Sequence, residues 1–387
     1  MQYREDRASG NKLSALGMGC MRFPSNKAET ERMILAAIKG GVNFFDTAYI
    51  YPSSEKTLGD ILARNNKRKD VFIATKLPLM MCKTPEDFDR LFNEQLKRLQ
   101  TDYIDYYFLH NVTDFAQWEQ MRALGIEDWL TQRKKEKKIH NIGFSYHGTC
   151  DDFLKILASY NWGFTMIQYN YYDENYQVGR KGLQAAAQGG VSVIIMEPLL
   201  GGRLATGVPK KAQEIFAKAD PAKSPADWAL HWLWNQPEVT VVLSGMSNTA
   251  VLEKNLLSVK NFTPLEESTK TVYADVVAHF RAAYKINCTG CNYCLPCPKG
   301  INIPAVLSAY NARYVQGLVT SMTMYLTSTA ALRKENTSPR KCNDCGKCEK
   351  HCPQYIPIRK SLKKVARKFE PLPMRWVLAL VRKVMGG

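Results

Sequence analysis

The stretch of residues 71–110, "VFIATKLPLMMCKTPEDFDRLFNEQLKRLQTDYIDYYFLH", decides the fold. It begins with the apolar run "VFIATK", continues through the charged, helically periodic run "PEDFDRLFNEQLKRLQ", and ends with the apolar run "YIDYYFLH". Two short apolar runs with a helical pattern between them are typical of two parallel strands joined by a helix, because a parallel pair needs such a crossover. The stretch therefore predicts one strand–helix–strand unit.

The same alternation continues along most of the chain. Eight β-rich runs are separated by helical patterns, and strands that are apolar along most of their length suit a sheet covered by helices. Eight repeats predict the α/β class and a (β/α)8 TIM barrel. The runs occupy residues 15–21, 43–48, 71–76, 103–110, 141–145, 164–170, 191–198 and 240–245.

The chain of 387 residues is longer than such a barrel, which takes roughly 250 residues. We expect the barrel in residues 1–264, a connecting helix in 265–285, and a small, mainly helical, cysteine-rich domain in 286–360. A basic, amphipathic tail follows in 361–387. The start of the chain has no apolar segment of the signal-peptide kind, and no run is long enough to span a membrane, so the sequence predicts a cytoplasmic protein.

Eight of the eleven cysteines form two groups near the end of the chain. Each group has the spacing C-x2-C-x2-C followed by a Cys-Pro pair, and the second has the C-x2-C-x2-C-x3-C-P spacing of bacterial ferredoxins. Zinc sites more often use two C-x2-C pairs with a spacer between them. The pattern predicts two [4Fe-4S] clusters in a ferredoxin-like dicluster domain. The groups are Cys288, Cys291, Cys294 and Cys297, then Cys342, Cys345, Cys348 and Cys352.

The ferredoxin pattern also predicts how the two groups share the clusters. Three cysteines of a group ligate one cluster, and the fourth is carried by the following proline to the other cluster. One cluster would then be held by Cys352 and the first three cysteines of group one. Cys297 would complete the other cluster with the first three cysteines of group two. The last gap of group one is two residues instead of three.

Four polar residues stand at or just beyond the predicted ends of strands two, three and four. They are Asp46, Tyr51, Lys76 and His110, called the tetrad below. This is the edge where barrel enzymes hold their chemistry. Reduction of a carbonyl by hydride needs a proton for the developing alkoxide, and a tyrosine donates it more readily when a lysine lowers its pKa from about 10. The tetrad therefore predicts a carbonyl-reducing site.

The runs "FDTAYIY", "IATK", "DYIDYYFLH", "IGFS" and "MIQYN" resemble the aldo-keto reductases over residues 12–260. With the cysteine groups, the chain resembles family members that carry a C-terminal ferredoxin-like domain. The resemblance implies that Tyr51 is the general acid and base, with the other tetrad residues as its partners. It also implies NADP or NAD as cofactor and a small carbonyl or alcohol as substrate. No flavin motif is visible, although barrels also bind flavins without one.

The same resemblance implies the residues that bind the cofactor. Ser145 and Gln168 would hold the nicotinamide carboxamide, and Met196 replaces the aromatic residue that commonly stacks on the ring. The loop 198–204 would cross the pyrophosphate, and the segment 244–256 would lie at the adenosine end. The individual residues are Pro198, Leu199, Gly201 and Arg203 in the loop, and Ser244, Gly245, Lys254 and Asn255 at the adenosine end, with Asn255 at adenine.

The formal net charge of +17 is concentrated at the end of the chain. Residues 281–387 hold 19 Lys and Arg against 4 Asp and Glu, a net charge of +15. Three interpretations stay open: the tail packs its apolar face on the barrel and exposes Lys and Arg, the basic surface docks an acidic carrier such as ferredoxin or flavodoxin, or the tail lies on an anionic membrane. No aromatic-basic motif accompanies the charge, so a nucleic-acid partner is not expected.

The leading hypothesis is an oxidoreductase that couples hydride transfer at the barrel to one-electron transfer through the two clusters. Two alternatives stay open. In one, the barrel is a non-catalytic, nicotinamide-binding relay or sensing subunit. In the other, the protein is a plain carbonyl reductase whose clusters are structural.

Overall fold

The computed structural model describes residues 1–331 and 336–385, and side chains up to residue 380. The described chain divides into two compact units. The first contains Met1–Leu199 and Asp227–Leu265, and the second contains Leu200–Ala226 together with the chain from Glu266 on. The barrel strands all belong to the first unit, and the cysteine groups belong to the second.

The strands all lie in the first unit, and the helices are divided between the two units. The strands are β1 Tyr3–Glu5, β2 Lys12–Ser14, β3 Leu16–Gly19, β4 Phe44–Asp46, β5 Phe72–Pro78, β6 Ile104–Val112, β7 Ile139–Tyr146, β8 Phe164–Gln168, β9 Ser192–Met196 and β10 Val239–Ser244. The helices are α1 Lys27–Lys39, α2 Ser54–Arg64, α3 Glu86–Leu99, α4 Phe115–Ala123, α5 Ile126–Lys135, α6 Cys150–Ser159, α7 Gly179–Gln188, α8 Lys210–Ala219, α9 Pro225–Trp234, α10 Thr249–Lys260, α11 Thr269–Ala283, α12 Ile303–Val315, α13 Leu318–Ser328, α14 Lys347–Lys350, α15 Ile358–Phe369 and α16 Leu372–Met385.

Strands β3 to β10 close into a parallel barrel in chain order, with β10 pairing to β3. All eight predicted strands are present, so the predicted fold class is confirmed. At the edge that carries the tetrad, two strands run two residues beyond their predicted ends: β5 continues past Lys76 to Pro78, and β6 continues past His110 to Val112. The last residue pair between β5 and β6 is Pro78 with His110, two residues beyond Lys76, which was expected to end β5.

The antiparallel hairpin β1–β2 precedes the barrel, and the sequence analysis did not predict it. The connection between its strands carries Asp6, which is buried and accepts a hydrogen bond from the Tyr106 hydroxyl at 2.9 Å. Tyr106 lies near the start of β6, inside the barrel, against Phe44 and Phe164. The loop between β1 and β2 therefore provides a hydrogen-bond partner for the Tyr106 hydroxyl at the amino-terminal end of the barrel, opposite the edge that carries the tetrad.

Helices α12, α13 and α15 enclose a core of their own in the second unit. Tyr325 and Phe369 stack at 4.4 Å between ring centroids, and the Tyr325 hydroxyl donates to the buried carboxylate of Glu370. The sequence of residues 318–339 is compatible with a helix or with an ordered loop, and the structure has helix α13 up to Ser328. Residues 332–335 of this segment lie outside the described residues.

The two tail helices differ in how they use their apolar residues. Helix α15 buries one face, including Leu362, Val365 and Phe369, and exposes lysine and arginine on the other. Helix α16 leaves most of its described side chains exposed, among them Trp376. The interpretation that the tail packs its apolar face on the barrel is therefore corrected: α15 packs that face into the helical core of the second unit, and α16 exposes its own. The last two residues of the predicted tail lie outside the described chain.

No helix within residues 1–331 and 336–385 combines the length and the apolar character that crossing a membrane requires.

Gly201 has a backbone that only glycine fits, and this yields a first prediction. Its φ is +66°, and a Cβ at this position would lie 1.9 Å from the Thr289 carbonyl oxygen, within the second unit. Because backbone atoms give way poorly and the left-handed conformation adds strain, Gly201→Ala should lower the free energy of unfolding by about 3 kcal/mol. Urea unfolding of the purified protein measures this loss.

Gly202 provides the matched control for that substitution. Its φ is +96°, but a Cβ there would find its nearest neighbour, Thr206 Oγ1, only at 3.8 Å. Gly202→Ala should therefore carry the conformational strain of a left-handed residue without the clash. Equal unfolding free energies for the two variants would show that the contact between Gly201 and Thr289 does not constrain the fold.

Candidate functional site

The tetrad residues come together at the carboxyl ends of β4, β5 and β6. Asp46 is the last residue of β4, and Lys76 Nζ lies 2.5 Å from its Oδ1 and 2.7 Å from the Thr47 carbonyl oxygen. Tyr51 lies in the loop before α2, with Lys76 Nζ 5.1 Å from its ring centroid. The ring of His110 lies 6.0 Å from that of Tyr51, edge to face. One lysine therefore touches the carboxylate and faces the phenol.

Burial controls the charges of this group. Asp46, Lys76 and His110 are all more than nine-tenths buried, whereas Tyr51 is partly exposed. Burial raises the pKa of Asp46 and lowers that of Lys76, while the attraction between the two charges opposes both shifts. The buried ion pair needs both partners, since removing one would leave an uncompensated charge. Tyr51 is therefore the most exposed residue of the tetrad.

His110 is held in its neutral form. Burial, the charge of Lys76 and the neighbouring His147 lower its pKa well below the ordinary histidine value. Burial also lowers the pKa of His147 to about 4. Two neutral imidazoles thus lie close together, and a neutral His110 keeps one N–H that can donate to a substrate oxygen.

Asn111 is a polar residue at this edge that the sequence analysis missed. It follows His110 with φ of +59°, and its backbone N–H donates to Ser145 Oγ at 2.8 Å. Its side-chain Oδ1 is buried and finds no hydrogen-bond partner among the described residues. A buried acceptor left without a partner is costly, so it marks a place where a bound amide group would fit. The left-handed backbone after a histidine is not visible in the sequence.

The remaining predicted cofactor residues of the first unit lie at strand ends or beyond them. Ser145 is the penultimate residue of β7. Gln168 is the last residue of β8, and its side-chain amide donates to the buried carboxylate of Asp173 at 3.0 Å. Asn255, on α10, donates to Ser244 Oγ at 2.8 Å, at the end of β10. Gly245 and Lys254 are exposed, Met196 ends β9, and Pro198 and Leu199 follow it in the loop.

The loop after β9 has an unusual backbone. Glu197, Leu200, Gly201 and Gly202 all adopt positive φ, between 46° and 96°. For Glu197 and Leu200 this conformation is strained, and such strain concentrates at functional loops. The part from Leu200 on belongs to the second unit.

Arg203, predicted at the cofactor, has partners inside the second unit. Its guanidinium donates to Asn287 Oδ1 at 2.5 Å and to the Cys288 carbonyl oxygen at 2.6 Å. It also stacks 4.4 Å from the ring centroid of Tyr284 and is buried. These contacts hold the peptide of the first cysteine in group one, so the structure directs this arginine toward the cysteine site.

Four cysteines surround one cavity of the second unit. Cys288, Cys291, Cys294 and Cys352 line it together with apolar side chains that include Ile303, Leu307, Ile356 and Ile358. Three of these cysteines come from group one and the fourth from the end of group two. Burial, with the other three sulfurs close by, raises the pKa of Cys294 to about 12. A dry cavity with four sulfur donors and no competing carboxylate fits a [4Fe-4S] cluster.

The sulfurs are not gathered as they would be around one ion. Among the described residues, no three His, Cys, Asp or Glu side chains converge on a point that could hold a single metal ion. In a four-iron cluster each cysteine binds a different iron, so its four sulfurs stand further apart than they do around zinc. None of the eleven cysteines forms a disulfide bond.

The second cysteine group lies closer to the surface. Burial and the nearby Glu349, Cys342 and Cys345 raise the pKa of Cys348, while Cys345 is exposed. Cys297, Cys342 and Cys348 pack against the same helical core as the first group. Exposed Lys341, Lys347 and Lys350 accompany this group in the chain. This cysteine group therefore has exposed basic residues beside it in the chain.

Two family models match the chain. The aldo/keto reductase family model matches residues 15–272, and the 4Fe-4S dicluster domain model matches residues 287–358. L-galactose dehydrogenase of Arabidopsis thaliana is 28% identical over 300 residues, which are 69% of this chain and 92% of the relative. L-glyceraldehyde 3-phosphate reductase of Escherichia coli is 25% identical over 312 residues, 68% of this chain and 89% of the relative.

A solved structure supports the fold. Aldo-keto reductase AKR11C1 of Bacillus halodurans, in its holo form, superposes with a TM-score of 0.61 at 23% identity, covering 71% of this chain and 96% of that one. The likeness agrees with the parallel eight-stranded barrel described above. From the family-model match over residues 15–272 and the barrel that carries the tetrad, the chain belongs to the aldo/keto reductase family and carries a C-terminal 4Fe-4S dicluster domain.

Proposed function

We propose that this oxidoreductase interconverts a carbonyl and an alcohol by hydride transfer with NAD(P). In the oxidising direction the alcohol would give a hydride to NAD(P)+ and a proton to Tyr51, and NAD(P)H would then pass its two electrons on, one to each cluster, and release a proton; reduction of the carbonyl is the reverse. The observation that carries the proposal is the convergence of Asp46, Lys76, Tyr51 and His110 at one end of the barrel. A bound nicotinamide would supply or remove the hydride at the substrate carbon. The residues of the tetrad handle the proton and the oxygen.

Tyr51 is the proton donor to the substrate oxygen in reduction and the acceptor in oxidation. It is the one tetrad residue that is partly exposed, so a substrate can reach its hydroxyl. Lys76 stabilises the phenolate that forms when the proton leaves, because its ammonium faces the ring. Asp46 holds that ammonium in place through the 2.5 Å contact. Neutral His110 donates to the substrate oxygen and orients it.

The buried acceptors around the site suit a nicotinamide amide. Ser145, Gln168 and the unpartnered Oδ1 of Asn111 provide hydrogen-bonding groups near the ends of β6, β7 and β8. Ser244, Gly245, Lys254 and Asn255 would serve the adenosine end, with Met196, Pro198 and Leu199 toward the pyrophosphate. Because Arg203 is hydrogen-bonded to Asn287 and Cys288, Lys254 is the remaining basic residue that would bind the 2′-phosphate of NADP. NADP and NAD both remain part of the proposal.

The names of the relatives suggest where a substrate search begins. One is a dehydrogenase of L-galactose and another a reductase of L-glyceraldehyde 3-phosphate. Both names denote hydroxylated carbonyl compounds, so small hydroxylated aldehydes, sugars and their oxidised forms are the first substrate class to test.

The clusters would carry single electrons between the barrel reaction and an external carrier. We propose that Cys288, Cys291, Cys294 and Cys352 hold one cluster, and that Cys297, Cys342, Cys345 and Cys348 hold the other. The exposed Cys345 and the exposed lysines of the second group favour docking of an acidic carrier such as ferredoxin or flavodoxin there.

Low-temperature EPR of the protein purified without oxygen tests the coupling. Spectra are recorded as isolated, after NADH, after NADPH and after dithionite. We expect the signal of reduced clusters to form with one nicotinamide, which also identifies the preferred cofactor. Signals that form only with dithionite, together with normal carbonyl turnover, would contradict coupling and favour structural clusters. Tight nicotinamide binding without any turnover would favour the relay or sensing role.

A further inference from the structure

Helix α16 presents apolar side chains to the surface. Leu372, Trp376 and Leu380 are spaced by four residues and therefore share one side of the helix. They are 66%, 76% and 64% exposed, and Val377 is 54% exposed. Leu378 is the buried residue among the described side chains of this helix. A stripe of this kind needs a partner, because a large aromatic and several leucines in water are unfavourable.

The charges around this stripe are of one sign. Arg375 lies within α16 and is exposed, and the sequence adds Arg382 and Lys383 without any acidic residue after Glu370. Helix α15 directly precedes α16, and its exposed face consists of lysine and arginine alone. That face has six residues, of which Arg359 pairs with Glu349 and Lys363 pairs with Asp344. The other four are Lys360, Lys364, Arg367 and Lys368.

We propose that α16 is an interfacial helix that lies on an anionic lipid surface. Trp376 and the leucines would enter the boundary between headgroups and acyl chains, while Arg375 and the basic face of α15 would meet anionic headgroups. The helix would lie in the plane of the membrane, since it is too short and too charged to cross it. One surface satisfies both the apolar stripe and the surrounding positive charge.

Two other partners fit these observations less well. A second copy of the chain would bring together two regions with a net charge of +15 each, which repel one another. An acidic protein would meet the basic residues but would have to supply an apolar groove as well. If that protein were an electron carrier, it would exchange electrons at the second cysteine group, where Cys345 is exposed. Lipid is the partner that combines negative charge with an apolar layer.

Vesicle co-sedimentation of the full, cluster-loaded chain tests the proposal. Vesicles of phosphatidylcholine alone are compared with vesicles that contain phosphatidylglycerol. We expect the wild type to pellet with the anionic vesicles only, and less so at high salt. Trp376→Ser with Leu380→Ser should lower the partition coefficient at least tenfold, because two large apolar groups no longer leave water.

The control pair is Leu318→Ser with Val319→Ser on α13. These residues are also exposed, at 54% and 80%, and lie in the same unit. The control should bind vesicles as the wild type does. Iron content and thermal unfolding check that each variant is folded, and Leu372→Ser with Leu380→Ser replaces the first pair if that pair does not fold. Reductase activity without vesicles should not change.

Three outcomes would overturn the proposal. The first is absence of binding to anionic vesicles, or equal binding to neutral ones. The second is a dimer, measured by light scattering, that dissociates in the Trp376→Ser/Leu380→Ser variant, since a second copy would then cover the stripe. The third is retention of the wild type, but not of this variant, on immobilised acidic ferredoxin without any vesicle binding.

Discussion

Tyr51→Phe should lower kcat/KM for carbonyl reduction by about 100-fold to 10,000-fold, the usual contribution of a positioned general acid. The substitution removes the hydroxyl that delivers the proton but keeps the ring that faces Lys76 and His110. The ion pair between Asp46 and Lys76 stays intact, so the barrel should fold as in the wild type. Steady-state kinetics with the best carbonyl substrate and cofactor measure the loss.

Tyr49→Phe is the matched control for this loss. Tyr49 lies in the same loop, but its hydroxyl donates to Glu94 Oε2 at 2.6 Å on the outside of the barrel. The control should keep nearly the full rate. Iron content and the cluster EPR signal after dithionite should be unchanged in both variants, because the cysteine groups lie in the other unit. A Tyr51→Phe enzyme that keeps most of its carbonyl turnover would show that another group supplies the proton.

Cys352→Ser should remove one whole cluster and lower the iron content from about eight to about four atoms per chain. Cys352 lines the cavity formed with Cys288, Cys291 and Cys294, so its loss opens the fourth iron of that cluster. Iron and acid-labile sulfide analyses give the count. Cys150→Ser, in α6 of the barrel unit, is the control and should keep all the iron.

Double variants distinguish crosswise ligation from ligation within each group. If ligation is crosswise, Cys352→Ser combined with Cys288→Ser affects one cluster twice and leaves about four irons. Cys352→Ser combined with Cys345→Ser then affects both clusters and leaves almost none. Ligation within each group predicts the reverse result for the two combinations. Urea unfolding of each variant separates loss of iron from loss of the fold.

The tetrad shows why part of the site could be predicted from the sequence. In a parallel barrel every strand ends at the same edge, so polar residues near successive strand ends are brought close to each other without further information. Asp46, Lys76 and His110 followed from this argument, although β5 and β6 run two residues beyond the lysine and the histidine. Strand length depends on pairing with neighbours, which no single strand specifies.

Other parts of the site depend on contacts between residues far apart in the chain. Arg203 binds Asn287 and Cys288, more than eighty positions away. Asn111 became a candidate because Ser145 holds its backbone and its Oδ1 is buried without a partner among the described residues. Side-chain type and local spacing give no information about such pairs.

The sequence by itself determined the eight strand–helix repeats, the two cysteine groups and the residue types of the tetrad. These are local patterns, since periodicity, spacing and turn residues act within a few positions of the chain. The tertiary structure alone decided that Leu200–Ala226 belongs with the cysteine unit, and that four particular cysteines share one cavity. It also decided that α15 buries its apolar face while α16 exposes its own. The physical reason is that burial is a property of the packed chain: an amphipathic helix buries its apolar face only where another surface is available to cover it.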